Sequence, residues 1–442
     1  MYSQCNYGPD WKAIYKRKLV SGQEAVSHVR SGDLVLSAGE GGESDYLLNL
    51  LAQRKDELQD VSIHCCNSRN VIDVNNPECS GHFLCDNWFV GPVSRTALHA
   101  GQATFTPSHF SQYEENISRS KWGQAEIGML QVSPPDNHGF MSFGITTAYS
   151  RGILERAQKI LVQVNPKMPR VLGDNFMHVS EADYIVEAES ELWQFPDVPP
   201  TEIQKAIAAH IAERIEDGST LQLGIGGIPN AVGALLAHKK HLGVHTEMIT
   251  QCMRELVECG AVDNSMKKIH RGKLIGTFAG GNDDLYGWMD NNPLVECYPV
   301  KYVNNPAVIA QNDKLVSINA TIEVDLTGQA CSESIGTRQY SGIGGQMDYV
   351  RGAYLSKGGK SFLAVSSTAE TRQGRVSCIV PMLKHGAVVS TARTDIDMVV
   401  TEYGVAELRG RSIRERVRNL VAIAHPDFRE GLLDFAKKSN YI

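Results

Sequence analysis

Two short glycine turns hold the residues whose types and spacing could perform chemistry. The first turn follows an apolar, strand-like run, precedes a helical pattern and consists of Gly224, Ile225, Gly226, Gly227 and Ile228. Glycine lets the main chain approach a ligand closely, and the start of a helix presents unpaired N–H groups at a positive dipole end. This turn suits a phosphate, a pyrophosphate or a developing oxyanion; a tight packing turn is the alternative interpretation.

A second turn of the same design favours a functional interpretation. It consists of Gly342, Ile343, Gly344 and Gly345, and a helical pattern follows it. Lys357 and Lys360 come shortly afterwards, so an anionic ligand with a long flexible arm would suit the two turns and these cations. Neither region has a nucleotide-binding fingerprint, because G-x-G-x-x-G fails at Pro229 and the P-loop pattern fails at Tyr354.

Two polar side chains are placed where they could act beside the turns. Glu247 lies in LGVHTEMIT (242–250), which we predict to be a strand that ends near the first turn. Ligands of α/β proteins bind at the carboxyl ends of parallel strands, so this carboxylate could react; a solvated or salt-bridged glutamate is the alternative. Asn319 could offer its amide near another strand end, or be a hydrogen-bonded buried asparagine.

Other reactive side chains favour structural roles. His238, His241 and His245 resemble a metal cluster, but two lysines lie between them, so we predict no metal site. The hydrolase motif G-x-S-x-G is absent from the sequence. His64 and Cys65 are neighbours in a strand-like run and would point to opposite faces, which argues against a thiol nucleophile activated by a base.

Strand-length apolar runs alternate with helical patterns along the chain, which is typical of helices packed on largely parallel sheets. A proline-rich segment at 190–202 separates two such regions. We therefore predict an α/β fold with two similar domains, residues 1–196 and 197–442, each a largely parallel sheet flanked by helices. The second domain would carry Glu247 and both glycine turns.

An internal repeat relates the two regions. Residues 30–65 and 216–248 each run from a helix end through a strand, a glycine turn and a helix into a second strand. Laid over each other by eye, the copies place His64 and Cys65 near Glu247 and Met248, so only the second copy has a carboxylate there. Two copies of one βαβ unit predict domains that face each other across a ligand-binding cleft.

Composition excludes several classes of protein. The 442 residues are 42% hydrophobic and carry 43 Lys and Arg against 50 Asp and Glu, a formal charge of −7. Binding to nucleic acid needs clustered basic residues, and we expect no nucleic-acid partner. A membrane span needs about 20 consecutive apolar residues, and we expect no membrane span. The charged N-terminus is unlike a secretory signal, and ten scattered cysteines are typical of reduced thiols. We expect a cytoplasmic protein.

Eight segments together resemble the acetyl-CoA hydrolase/transferase family, and within it the 4-hydroxybutyrate and butyrate–acetate CoA-transferases. Their order over nearly the whole chain makes the resemblance specific. The segments are VSPPDNHGFMSFG (132–144), NPKMPRVLGDNFMHVSEAD (165–183), LGIGGIPNAV (223–232), GVHTEM (243–248), SINATIEVDLTGQ (317–329), GIGGQMDYVRGAYLSKGGKS (342–361), VVTEYGVAELRGRSIRERV (399–417) and IAHPDFRE (423–430).

The resemblance implies an enzyme that moves coenzyme A from a short-chain acyl-CoA to a free carboxylate by a ping-pong mechanism. It implies that Glu247 is the nucleophile and forms a glutamyl-CoA thioester, that both glycine turns bind CoA and the thioester carbonyl, and that Asn319 is an active-site amide. Coenzyme A would be a substrate, with no tightly bound cofactor. The family resemblance also implies a site between two similar domains and a homodimer or higher homo-oligomer.

Two alternatives stay open. An acyl-CoA hydrolase on the same scaffold would use the same glutamate but admit water to the thioester. A non-catalytic regulator that binds CoA or a nucleotide would show no exchange between acyl-CoA and free acid.

Overall fold

The structure, a computed structural model, describes residues 8, 10–65, 73–119, 124–195, 198–224, 226–372 and 374–442. The chain divides into two compact units, residues 1–196 with 275–303 and residues 197–274 with 304–442. The sequence prediction placed 275–303 in the second domain, whereas the structure packs this segment with the first unit. The proline-rich segment indicates where the chain passes from the first unit to the second. It gives no information about a later segment that packs back against the first unit.

The helices are α1 (Trp11–Lys18), α2 (Gly22–Val26), α3 (Asp45–Ala52), α4 (Pro92–His99), α5 (Tyr113–Arg119), α6 (Ser150–Arg156), α7 (Glu202–Ala212), α8 (Gly227–Leu235), α9 (Gln251–Glu258), α10 (Asp283–Met289), α11 (Val300–Val303), α12 (Pro306–Ile309), α13 (Gln346–Leu355), α14 (Ile413–Ile423) and α15 (Pro426–Lys438). Among the described residues, none of these helices has the length and apolar character of a transmembrane span.

The strands are β1 (Leu34–Ser37), β2 (Val61–Cys65), β3 (Phe83–Asn87), β4 (Ala103–Phe105), β5 (Ala125–Val132), β6 (Phe140–Ser142), β7 (Ala157–Val164), β8 (Leu172–Gly173), β9 (Phe176–His178), β10 (Tyr184–Glu187), β11 (Thr220–Leu223), β12 (Gly243–Val244), β13 (Met248–Ile249), β14 (Leu274–Gly276), β15 (Phe278–Ala279), β16 (Val295–Cys297), β17 (Leu315–Ala320), β18 (Glu323–Asp325), β19 (Ala330–Cys331), β20 (Ser334–Ile335), β21 (Arg338–Gln339), β22 (Lys360–Ala364), β23 (Thr368–Thr371), β24 (Gly374–Ser377), β25 (Ile379–Val380), β26 (Met398–Thr401) and β27 (Gly404–Glu407).

A parallel sheet forms the centre of the first unit. Its strand order is β10-β7-β5-β1-β2-β3-β4, and every pairing is parallel. The strand β1 is buried along its whole length, as expected for a sheet covered on both faces. The hydroxyl of Ser44 caps α3 by accepting a hydrogen bond from the N–H of Leu47 at 3.2 Å, and Leu47, Leu48 and Leu51 then pack into the core.

The second unit is built on a sheet of order β12-β11-β17-β22-β26-β27. Its pairings are parallel except the last, between β26 and β27. Thr201 and Gln204 form a capping box at the start of α7, whose Ile207 and Ile211 are buried. Both units therefore confirm the predicted α/β fold with largely parallel sheets flanked by helices.

Strand register corrects the alignment of the internal repeat. Leu36 pairs with His64 in the first unit, and Leu221 pairs with Val244 in the second. Leu36 and Leu221 stand at the same position before their glycine turns, so His64 corresponds to Val244 rather than to Glu247. Counted along the sequence from these pairs, Glu247 falls opposite position 67, which lies outside the described residues. Pairing fixes the register, whereas visual matching of short motifs does not.

Candidate active site

Three of the predicted site residues lie at the carboxyl edge of the second unit's sheet. Gly224 follows β11, Asn319 lies near the end of β17, and Glu247 comes shortly after β12. Thr246 ties the Glu247 segment to β11, because its Oγ1 donates to the carbonyl oxygen of Leu223 at 3.4 Å. Glu247 occupies a short loop between β12 and β13, not the predicted strand. Parallel pairing brings these strand ends together, at the edge where ligands of α/β proteins bind.

A buried lysine holds the strand that leads to Glu247. Lys267 is 3% exposed, and its Nζ donates to the carbonyl oxygens of Val244 and Lys273, both at 2.7 Å. The N–H of Val244 donates in turn to Oδ1 of Asn264 at 2.9 Å. Gly243 makes room for the lysine, since a Cβ atom there would lie 2.6 Å from Lys267 Cγ. The main chain before Glu247 is thereby fixed from two directions.

The second glycine turn meets the carboxylate of Glu247. Gly344 has a φ of +55°, in the left-handed region that favours glycine, and Gly345 is the N-cap residue of α13. A Cβ atom on Gly345 would lie 1.8 Å from Oε2 of Glu247. The carboxylate therefore packs against bare main chain at the start of a helix, where the dipole favours negative charge.

A buried asparagine binds the same carboxylate oxygen. Nδ2 of Asn304 donates to Oε2 of Glu247 at 2.7 Å, and it lies 3.5 Å from Oδ2 of Asp348, in the first turn of α13. Asn304 is 0% exposed and Asp348 is 5% exposed. One amide thus stands between two carboxylates, of which Asp348 is buried and Glu247 is half-buried.

Tyr349 completes the surroundings of this group. The residue is 1% exposed, and its hydroxyl has no hydrogen-bond partner among the described residues. Burial raises the pKa of Tyr349 well above its usual value of 10.0, and the charges of Glu247 and Asp348 raise it further. The hydroxyl is therefore neutral at physiological pH and lies within the electrostatic reach of both carboxylates.

Asn319 belongs to a second polar cluster on the same edge. Its Nδ2 donates to Ser317 Oγ at 2.9 Å and to Gln222 Oε1 at 3.3 Å. Gln222 is 4% exposed and also accepts from Ser317 Oγ at 2.9 Å. These bonds fix the plane of the Asn319 amide, which is half-buried and faces the edge of the sheet.

The first glycine turn combines a conformational and a packing requirement. Gly226 has a φ of +109° and is exposed. Gly227 allows α8 to approach α7, because a Cβ atom there would lie 2.2 Å from Gln204 Oε1. Ile228 is half-buried in the first turn of α8, and Ile225 lies outside the described residues. Packing thus explains Gly227, while Gly224 and Gly226 stand at the open edge.

The two lysines after the second turn lie away from Glu247. Lys357 is exposed beyond the end of α13, and this helix of 10 residues separates it from Gly345 by about 15 Å. Lys360 begins β22, at the amino edge of the sheet, and its Nζ donates to Glu216 Oε1 at 2.8 Å. A ligand that contacts both Gly345 and Lys357 would have to extend along the length of α13, and the binding role of Lys357 stays a prediction.

Family models match most of the chain. The acetyl-CoA hydrolase/transferase N-terminal domain matches residues 3–195, and the C-terminal domain of the same family matches residues 281–436. The chain belongs to the acetyl-CoA hydrolase/transferase family. The family resemblance inferred from the eight sequence segments is confirmed.

Individual members of this acetyl-CoA hydrolase/transferase family match over nearly full length. A 4-hydroxybutyrate coenzyme A transferase from Clostridium kluyveri is 45% identical over 429 residues, 97% of this chain and 99% of that protein. The crystal structure of RipA from Yersinia pestis has a TM-score of 0.92 at 36% identity, covering 98% of this chain and 100% of that one. An acetyl-CoA hydrolase from Kluyveromyces lactis is 31% identical over 401 residues, 80% of this chain and 75% of that protein.

Sequence reasoning missed several residues of this family member's candidate site. Asp348 and Tyr349 lie within the quoted GIGGQMDYV segment, so their position beside the second turn was a usable signal. Gln222 alternates with buried leucines in β11 and could have been recognised as a buried polar side chain that needs partners. Asn304 precedes a short helix in an ordinary turn and gave no comparable signal.

Proposed function

We propose that this family member is a CoA-transferase that moves coenzyme A from a short-chain acyl-CoA to a free carboxylate, with Glu247 as the nucleophile. The observation that carries the proposal is the Glu247 carboxylate, bound by Asn304 and packed against Gly345 at the ligand-binding edge of the sheet. The higher identity to a transferase, 45% against 31% for a hydrolase, favours transfer over hydrolysis. We propose 4-hydroxybutyrate or butyrate, with acetate, as substrates.

The first chemical step is attack by the Glu247 carboxylate on the thioester carbon of the acyl-CoA. A C–O bond forms, the C–S bond breaks, and the products are an acyl-glutamyl anhydride and CoA thiolate. The carboxylate attacks as the anion, which has no proton to lose, so this step needs no general base.

The thiolate then attacks the glutamyl carbonyl of the anhydride. A new C–S bond forms, the anhydride C–O bond breaks, and the first acid leaves as its carboxylate. The acceptor carboxylate reverses both steps on the glutamyl-CoA thioester, which gives ping-pong kinetics. The thioester's free energy passes through each intermediate, and proton transfer is not required.

A carboxylate is a weak nucleophile, so the tetrahedral oxyanions need hydrogen-bond donors. We propose the main-chain N–H groups of both glycine turns for this role, joined by Asn319 Nδ2 when one of its two hydrogens exchanges Gln222 Oε1 for the oxyanion; one such donor is typically worth about 3–4 kcal/mol. Contacts to the nucleotide and pantetheine arm of CoA would supply binding energy that is used at the reacting carbon. Both covalent intermediates hydrolyse, so the site must also exclude water.

We extend the proposal to a cytoplasmic homodimer or higher homo-oligomer. All eight cysteines among the described residues are free thiols, which agrees with a reducing compartment. Light scattering coupled to gel filtration measures the oligomeric state; a mass equal to one chain at micromolar concentration would overturn that part of the proposal.

The covalent adduct provides the direct test. The protein is incubated with butyryl-CoA, digested, and the peptide that contains Glu247 is examined by mass spectrometry for a CoA thioester. We expect the adduct in the unsubstituted protein, its loss in Glu247→Gln, and its retention in Glu213→Gln. Glu213 is a suitable control because its side chain is 72% exposed.

Dependence on an acceptor separates transfer from hydrolysis. Loss of butyryl-CoA should require acetate and produce acetyl-CoA in equal amount. Loss without acetate would show a hydrolase on the same scaffold. Binding of CoA without exchange of label between butyrate and butyryl-CoA would show a non-catalytic regulator, and full activity of Glu247→Gln would show that the nucleophile is misassigned.

A further inference from the structure

We propose that Asn304 is a catalytic residue that holds Oε2 of Glu247 and stabilises the oxyanion that forms on this atom, and that Asp348 positions the Asn304 amide. The inference rests on the proposed function and assigns roles within it. Asn304 touches a reacting atom, since Oε2 belongs to the carboxylate that forms both covalent intermediates. Asp348 acts through the amide.

The orientation of the amide follows from its surroundings. Nδ2 carries two hydrogens and faces Oε2 of Glu247 at 2.7 Å and Oδ2 of Asp348 at 3.5 Å. Rotating the amide by 180° would turn its carbonyl oxygen toward two carboxylates and replace attraction with repulsion. Oδ1 of Asn304 is buried without a partner among the described residues. The asparagine thus leaves its acceptor unpaired while its donor faces the two acids.

Two independent features bring Asn304 to this position. Gly352 lets α12 pack closely on α13, because a Cβ atom there would lie 2.4 Å from Ile309 Cγ2. Asn304 therefore sits beside the first turn of α13, which carries Asp348. Gly345 leaves open the space between this turn and Glu247, since a Cβ atom there would lie 2.2 Å from Asn304 Nδ2.

The second chemical step shows why a donor is needed on Oε2. Attack through the other carboxylate oxygen leaves Oε2 as the glutamyl carbonyl oxygen of the anhydride. When CoA thiolate attacks this carbon, a C–S bond forms and the carbonyl π pair moves onto Oε2. Collapse of that oxyanion restores the carbonyl and expels the donor acid. A hydrogen bond to Oε2 becomes stronger as the neutral carbonyl gains charge, so it lowers the barrier of this step.

Substitution of Asn304 should change the fate of the anhydride as well as the rate. We expect Asn304→Ala to lower kcat by about 100-fold or more, the usual effect of removing one oxyanion donor, with the KM for butyryl-CoA unchanged. Because the thiolate returns more slowly, more anhydride meets water. The ratio of butyryl-CoA hydrolysed to butyryl-CoA transferred should therefore rise, an effect that general loosening of the fold would not produce alongside an unchanged KM.

Asp348 provides a double-mutant test. Asp348→Asn should lower kcat less than Asn304→Ala does. The double variant should be no slower than Asn304→Ala alone, because Asp348 acts through the amide. Additive losses in the double variant would overturn the role of Asp348.

Asn304→Asp is close in shape and tests the proposal even where Asn304→Ala does not fold. It places a carboxylate beside Glu247, which raises the pKa of the nucleophile, so activity should appear only at higher pH than in the unsubstituted protein. The matched control is Asn312→Ala: Asn312 is 0% exposed, and its Oδ1 accepts from the main-chain N–H of Lys268 at 3.2 Å. This control should lower Tm and leave kcat unchanged.

Two results separate this inference from the proposed function. If the unsubstituted protein transfers CoA and forms the Glu247 adduct, while Asn304→Ala keeps its kcat or Asn304→Asp keeps its pH profile, only the role of Asn304 is overturned. If the unsubstituted protein forms neither product nor adduct, the proposed function is overturned, and this inference with it.

Discussion

A side chain at position 345 and the carboxylate of Glu247 cannot occupy the same space. The Cβ atom of any residue other than glycine would lie 1.8 Å from Oε2 of Glu247. The φ of Gly345 is −93°, which lies outside the left-handed region that favours glycine. The need for glycine is therefore steric, and it comes from the candidate nucleophile together with Asn304, whose Nδ2 would lie 2.2 Å from the same Cβ atom.

Gly345→Ala should displace the nucleophile. A shift of about 1 Å in a reacting group can cost roughly 100-fold in rate, so we expect kcat to fall by about that factor while the protein still folds. Gly431→Ala is the matched control, since Gly431 lies in α15 of the same unit with nothing within 4 Å of a Cβ atom. Steady-state kinetics measures kcat for both variants, and circular dichroism shows whether both are folded. Equal activity of the two variants would refute the steric argument.

Gln222→Leu should disturb the amide of Asn319. The substitution removes the oxygen that accepts from Asn319 Nδ2 at 3.3 Å and from Ser317 Oγ at 2.9 Å. A misoriented amide donor stabilises an oxyanion less well, so we expect kcat to fall about tenfold. Gln311→Leu, at an exposed position of the same unit, should have no effect. Unchanged kcat in Gln222→Leu would show that Gln222 does not orient the Asn319 amide for catalysis.

Lys267→Met should weaken the strand that leads to Glu247. It removes the donor to the carbonyl oxygens of Val244 and Lys273, so we expect the free energy of unfolding to fall by about 2–3 kcal/mol. Lys268→Met is the neighbouring control, because the Lys268 side chain is 63% exposed. We expect its free energy of unfolding to change by no more than about 0.5 kcal/mol. Urea unfolding measures both values. Comparable stability of the two variants would contradict this structural role of Lys267.

Glu333→Gln should change the pH dependence of stability. Glu333 is 5% exposed, and its burial raises the pKa of the carboxyl group above its usual 4.5. The folded protein thus keeps a proton that the unfolded chain releases, and the resulting stabilisation is complete below pH 4.5 and is lost as pH rises through the raised pKa. The glutamine variant lacks this loss. Its stability relative to the unsubstituted protein should therefore increase as the pH rises above 4.5.

Urea unfolding of both proteins across this pH range measures the difference. Glu370→Gln, at an exposed position, should differ from the unsubstituted protein in free energy of unfolding by the same amount at every pH. If the difference in free energy of unfolding is also independent of pH for Glu333→Gln, burial does not shift the pKa of this carboxyl group.

Much of the fold and part of the site followed from contiguous sequence. The alternation of strand and helix patterns indicated an α/β protein, and eight ordered segments identified the family. The rule that parallel strands end at one edge placed Glu247 near Gly224, and the family resemblance added Asn319 to the predicted site. Such features are readable because each depends on residues that are close in the chain.

Only the tertiary structure decided the contacts of Glu247. Asn304 and Glu247 are 57 positions apart, and no local pattern predicts a hydrogen bond over that separation. Likewise, the return of 275–303 to the first unit and the distance of Lys357 from the candidate site depend on how elements pack. Hydrogen bonds and steric exclusion act between residues that are close in space, whatever their separation in the chain. Sequence patterns indicate only the local structure that neighbouring residues favour.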